Sequence, residues 1–93
     1  MAHTSYRELA GRAAAASVKV KVGQLYHHWR DPETRYKVLN IAINEADEQI
    51  LVVYELQADK PVVWVRPLRG PDGWLTPVEH QGREIPRFVK VSA

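Results

Sequence analysis

Residues 36–56 read YKVLNIAINEADEQILVVYEL, and this stretch decides the fold. Tyr36 to Ile43 is rich in aromatic and β-branched residues, the types that suit a pleated, half-buried strand. Asn44 to Glu48 is polar and acidic, a connection between strands. Ile50 to Tyr54 is a continuous apolar run, which predicts a central strand covered on both faces. Side chains alternate along a strand. Ile50, Val52, Tyr54 and Leu56 therefore share one face, and Leu51 and Val53 share the other. If one face fills the interior, something must cover the second: the N-terminal arm or another subunit.

Working outward from this pair, punctuation by Gly and Pro recurs at short intervals. Upstream, Leu25 to Trp29 is extended, and Asp31-Pro32-Glu33-Thr34 reads as a turn with proline at its second position. Before Gly23, Val18, Val20 and Val22 alternate with Lys19 and Lys21, the pattern of a strand lead-in. Downstream, Ala58 to Pro61 turns the chain. Val62 to Arg66 is an apolar strand ended by Pro67, and Gly70-Pro71-Asp72-Gly73 is a strong turn. Thr76-Pro77 has the form of a helical-turn start. Gln81-Gly82 marks a hairpin-like turn, and Phe88 to Val91 is the last strand. Five short strands at this spacing predict an all-β (mainly β) domain over residues 18–93, a small barrel or sandwich, with a five-stranded SH3-like or OB-like barrel the economical closure.

Residues 1–17 differ. Ser5 followed by Glu8 has capping-box spacing, and Ala10 to Ala16 is rich in the strongest helix former. Gly11 weakens such a helix, and so short a helix is marginal unless it docks. A short helix and a disordered arm both fit.

Composition narrows the function classes. The 93 residues are 45% hydrophobic, enough for one domain. There is no cysteine, which excludes disulfides and thiolate zinc sites and suits a cytoplasmic location. No apolar run is long enough to span a bilayer. The net charge is +2, but unevenly spread: residues 41–59 hold five acids and no base, while the flanking segments are basic. A nucleic-acid binder with this chain must turn the acidic segment away from the phosphates.

The motifs Tyr26-His27-His28-Trp29-Arg30, Tyr36-Lys37-Val38-Leu39, Leu51-Val52-Val53-Tyr54, Trp64-Val65-Arg66-Pro67-Leu68, and Gly82 with Pro86-Arg87-Phe88 resemble the bacterial domain-of-unknown-function family 1653. The resemblance covers Gly23 to Val91. It implies an SH3-like barrel and carries no established activity. Two departures stand out. Asn44-Glu45-Ala46-Asp47 replaces a His-Ser-Glu-Thr-like turn. Gly70-Pro71-Asp72-Gly73 lengthens the loop after the Arg-Pro step, with Trp74 in place of a phenylalanine.

Catalytic material is sparse. The serines Ser5, Ser17 and Ser92 lie near the termini, away from any rigid base and orienter. The carboxylates between Glu45 and Asp59 read as a solvated acidic loop. His27 and His28 are adjacent, so on a strand they point to opposite faces and do not grip one ion together. No catalytic residue, metal site or cofactor is expected, and the chain reads as a non-enzyme.

The remaining constellation is aromatic and basic. His28, Trp29, Arg30, Arg66, Arg69, Trp74 and Arg87 form the candidate binding surface, with His27 and Trp64 nearby. Guanidinium groups stack on aromatic faces and fork onto carboxylates or phosphates. The first expectation is a non-catalytic module that binds a protein or peptide, as a monomer or weak homodimer and without a membrane. The alternative is a barrel that binds single-stranded nucleic acid by stacking and charge. For Trp64 and Arg66 a purely structural use competes: Trp64 in the core, and Arg66 paired with Glu55 on the next strand.

Overall fold

The structure, a computed structural model, describes residues 4–92. Met1 to His3 and Ala93, counted above with the arm and the barrel, lie outside the described residues.

The chain begins with helix α1, Tyr6–Lys19. Ser5 caps it, its Oγ accepting the N–H of Glu8 at 3.3 Å. Glu8 also pairs with Arg12 one turn on, at 3.1 Å. The helix docks through Ala16 and the residue after its last turn, Val20, both buried. Thr4 adds a clasp: its N–H and Oγ1 donate to the Glu48 carboxylate at 2.9 and 2.7 Å. Docking stabilises a helix too short to persist alone. The Val18–Val20–Val22 alternation is therefore not a strand. The helix runs through Val18 and Lys19, leaving Val18 and Val22 exposed, while Val20 plugs the core. Three alternating residues carried less weight than an alanine-rich helix already under way.

Among the described residues seven strands follow: β1 Leu25–His28, β2 Asp31–Ile43, β3 Ile50–Leu56, β4 Val63–Pro67, β5 Val78–His80, β6 Arg83–Ile85 and β7 Phe88–Lys90. The five segments expected as strands make one antiparallel sheet in the order β4-β3-β2-β1-β7. The chain reverses between β1 and β2 at Trp29-Arg30, with His28 opposite Asp31. Asp31 to Thr34 is thus the start of β2 and not the turn. Pro32 is tolerated there because it lies near the strand's first residue. The small hairpin β5–β6, turned by Gln81 and Gly82 with φ of 53° and 76°, stands where Thr76-Pro77 suggested a helical turn.

The sheet does not close into a barrel. No hydrogen-bonded ladder joins β4 to β7. Pro67 ends β4, and Pro86 precedes β7, so neither supplies a donor at the seam. Residues 68–77 bridge the gap only at its Pro67 and Phe88 corner. Within them, Trp74 and Leu75 donate their N–H groups to the carbonyls of Pro67 and Leu68 at 2.8 and 2.9 Å.

Packing explains why the sheet curls. Val38 and Val52 are fully buried, with Tyr26, Tyr54, Leu68, Trp74 and Phe88 around them. Trp74 stacks on Phe88 at 3.8 Å, with Tyr26 and Tyr54 edge-on at 5.3 and 5.0 Å. Each such ring contributes about 1.5–3 kcal/mol by leaving water. A bulge between Val38 and Asn40 bends β2 so that it serves both β1 and β3.

Helix α1 lies on the interior side, its Ala15, Ala16 and Lys19 bordering Ile50 and Leu68. It does not cover the Leu51–Val53 face, as one expectation had it. Among the described residues, no helix is long and apolar enough to cross a membrane.

Candidate binding recess

The register of β2, β3 and β4 sets the site. Tyr54 sits opposite Val38 on one side and Trp64 on the other, and Arg66 lies two residues along from Trp64 on the same face. Tyr36 reaches Tyr54 diagonally, ring centroids 5.6 Å apart. From the far side of the curl, β1 and β7 bring His28 edge-on to Phe88 at 5.3 Å. The result is an aromatic and basic cluster in which His28, Tyr36, Tyr54, Arg66 and Phe88 touch in sequence. Trp64 lies on the same sheet face and Arg87 beside Phe88; we call the inner side of the curl at this cluster the recess.

Arg66 is held from three directions. Its Nη1 donates to the carbonyl of Asp72 at 2.7 Å, its Nε to the Tyr54 hydroxyl at 3.4 Å, and its guanidinium lies 5.1 Å from the Phe88 ring centre. It does not pair with Glu55, which faces Val63 on the other side of the sheet. Arg87 donates from Nε to the carbonyl of Thr76 at 3.2 Å and lies 3.5 Å from the Asp72 carboxylate, itself 84% exposed. A guanidinium has five donors, so both arginines keep donors for an incoming anion.

Electrostatics follow from this placement. His28 is held below its ordinary value of 6.5, first by burial, then by Arg66, Arg87 and Arg30; Asp31 opposes them. Tyr36 is pushed above its ordinary range, first by burial, then by Tyr54 and Asp31. At neutral pH the recess thus presents two cations, a neutral imidazole and a protonated phenol.

The His28 shift has a measurable sign. The unfolded chain takes up a proton near pH 6.5 that the folded chain resists. The contribution to stability is complete above that pH and is lost as pH falls through the lowered folded value. Urea titrations across this window are expected to show a steeper acid-side loss for the native chain than for His28→Gln. Parallel profiles would refute the assignment.

The seven residues named from sequence divide into four groups. His28, Arg66 and Arg87 converge. Trp29 and Arg30 form an adjoining stack, Arg30 lying 4.8 Å from the indole centre and His80 packing on Trp29 at 4.9 Å. Trp74 is core, 3% exposed, and offers no binding surface. Arg69 lines a separate open groove of about 580 Å³ with Gln49, Ile50, Pro67 and Leu68.

Trp64, weighed as core, is 51% exposed. Tyr36, Tyr54, Phe88, Asp72 and His80 were missed as site residues. The Tyr36–Tyr54 pair had a signal: a hairpin turning at Asn44–Gln49 brings them to neighbouring positions.

No curated protein and no solved structure matches the chain. One family model does, over residues 24–90, which includes every strand and every residue of the recess; its description is "Protein of unknown function (DUF1653)". The chain belongs to that family.

Proposed function

We propose that this chain is a non-catalytic binding module of the bacterial cytoplasm that recognises an acidic protein segment or peptide through the recess around Arg66 and Arg87. The observation that carries this reading is the pair of anchored arginines beside a neutral His28. Fixed guanidinium groups lose little freedom on meeting a carboxylate, and the aromatic walls give the peptide's apolar atoms a surface. Among the described residues, Asp72 is the only carboxylate within ion-pair distance of Arg87, and its exposure lets a ligand carboxylate displace it there. We read the curled sheet as an SH3-like barrel in which residues 68–77 bridge one corner of the open seam.

The test is a titration of labelled protein with a glutamate-rich peptide, followed by NMR. Shifts are expected at His28, Arg66, Arg87 and Phe88, with the His28 pKa rising toward its ordinary value as an anion offsets the arginines. Arg66→Gln with Arg87→Gln is expected to weaken binding by roughly 10–100-fold, as for lost charge-assisted hydrogen bonds. Absence of shifts at these residues with a saturating peptide would overturn the reading. Single-stranded nucleic acid is the second reading, favoured by the Trp29–Arg30–His80 stack. It requires oligonucleotide binding centred on Trp29 that weakens steeply with salt.

A further inference from the structure

Strand β4 is an edge, paired with β3 alone. Its residues Val63, Trp64 and Val65 are between 51% and 59% exposed, and Val62 just before it is 41% exposed, so both faces of the strand meet solvent. The β3–β4 register runs without a bulge. Proteins usually blunt such an edge with charges, bulges or a covering segment. Residues 61–65 carry no charge.

The direction of the backbone groups follows from the ladder. Leu56 donates to the carbonyl of Val62, and Leu68 to that of Ile50. Val62, Trp64 and Arg66 therefore turn their N–H and C=O groups toward β3, and Val63, Val65 and Pro67 turn theirs outward. The outward carbonyl of Pro67 is already taken by the N–H of Trp74. Pro61 and Pro67 have no N–H. The open edge is thus two residues that each offer a donor and an acceptor, bracketed by prolines.

We propose that this edge pairs with the same edge of a second copy, antiparallel, on a two-fold axis beside Trp64. In this register Val63 exchanges both hydrogen bonds with Val65 of the second copy, and the reciprocal pair does the same. The two Trp64 side chains meet at a non-hydrogen-bonded position, where side chains approach most closely.

Charge selects this register over its neighbour. A shift that paired Val63 with itself would set Lys60 directly against Arg66 of the second copy, and opposed like charges disfavour pairing. With the axis beside Trp64, Arg66 faces Val62 and no cation faces a cation. The edge is small beside the ~20–30 residues a side of a standard interface, so the dimer is a weak one. Because Trp64 shares a face with Tyr54 and Arg66, both recesses open on one side of a continuous ten-stranded sheet.

Analytical ultracentrifugation over a wide concentration range, with amide exchange by NMR, tests this. Native chain is expected to show a concentration-dependent monomer–dimer equilibrium, with exchange at Val63 and Val65 slowing as dimer accumulates. Val65→Pro removes an outward N–H while leaving the β3 ladder intact, so it is expected to keep the native spectrum and weaken dimerisation at least roughly tenfold. Val63→Lys with Val65→Lys, which leaves the backbone untouched, is expected to do the same. A chain that stays monomeric at millimolar concentration overturns the proposal. So does a dimer that survives both variants, or one whose formation leaves the Val63 and Val65 amides unprotected.

Discussion

Trp74→Ala is expected to lower stability by about 3–5 kcal/mol, the range for removing a buried aromatic side chain. The residue is 3% exposed and touches three other rings, so its removal leaves a hole at the seam between β4 and β7. A domain of this size has a net stability at the lower end of the usual ~5–15 kcal/mol. The variant is therefore expected to populate unfolded chain without denaturant. Urea unfolding followed by near-ultraviolet circular dichroism gives the measurement. Trp64→Ala is the matched control, because that indole is half exposed, and its effect is expected to stay within about 1 kcal/mol. Comparable losses for the two tryptophans would contradict a core Trp74 and a surface Trp64.

Gly73→Ala is expected to be the most damaging of the glycine substitutions. A Cβ at Gly73 would stand 2.6 Å from the backbone carbon of Arg69 and 2.7 Å from its Cα and oxygen. Backbone cannot swing aside as a long side chain does, so the 70–73 turn must open. Overpacking of this kind costs about 1–3 kcal/mol. For a domain of this length each kcal/mol lowers the melting temperature by about 4–8 °C. The turn also carries the Asp72 carbonyl that holds Arg66, so the Arg66 side-chain resonances are expected to shift in the folded variant. An unchanged melting temperature would show that the turn relaxes without cost. Gly70, at φ 88° but with open space around it, separates the two sources of strain. Alanine there meets only the left-handed backbone penalty of about 1–2 kcal/mol.

The five strands of the main sheet were legible because each is a short β-branched or aromatic run between Gly or Pro residues. The errors fall where two local signals competed or where no local signal exists. At Val18–Val22 a weak alternation followed a stronger helical tendency. At Asp31–Thr34 the turn-forming residues were right in type but sat two positions late, because the Trp29-Arg30 connection was already tight enough to reverse the chain. The β5–β6 hairpin has three-residue strands, too short for periodicity to register.

The missing barrel closure is a property of prolines at two distant strand ends. It also decides the fate of Trp74, which becomes core because there is a gap to fill. The same logic separates the site residues. Arg66 and Arg87 were recognisable by type. Their convergence on Phe88 depends on the curl of the sheet, which the bulge after Val38 and the packing around Val52 impose.

The pairing of β7 with β1 joins the first and last strands of the chain, His28 with Phe88 and Tyr26 with Lys90. Strands β2, β3 and β4 are consecutive hairpins, whose closure costs little chain entropy. The three-residue β7 must be captured over a far longer loop, and non-local contacts of this kind slow folding. The order of assembly then runs from the middle outward, with β7 arriving last. A nascent chain that has made Tyr36, Tyr54, Trp64 and Arg66 neighbours still lacks Phe88 and Arg87. On this order the recess is expected to be completed last, and a chain in which β7 has not docked has the β2–β4 sheet without the site.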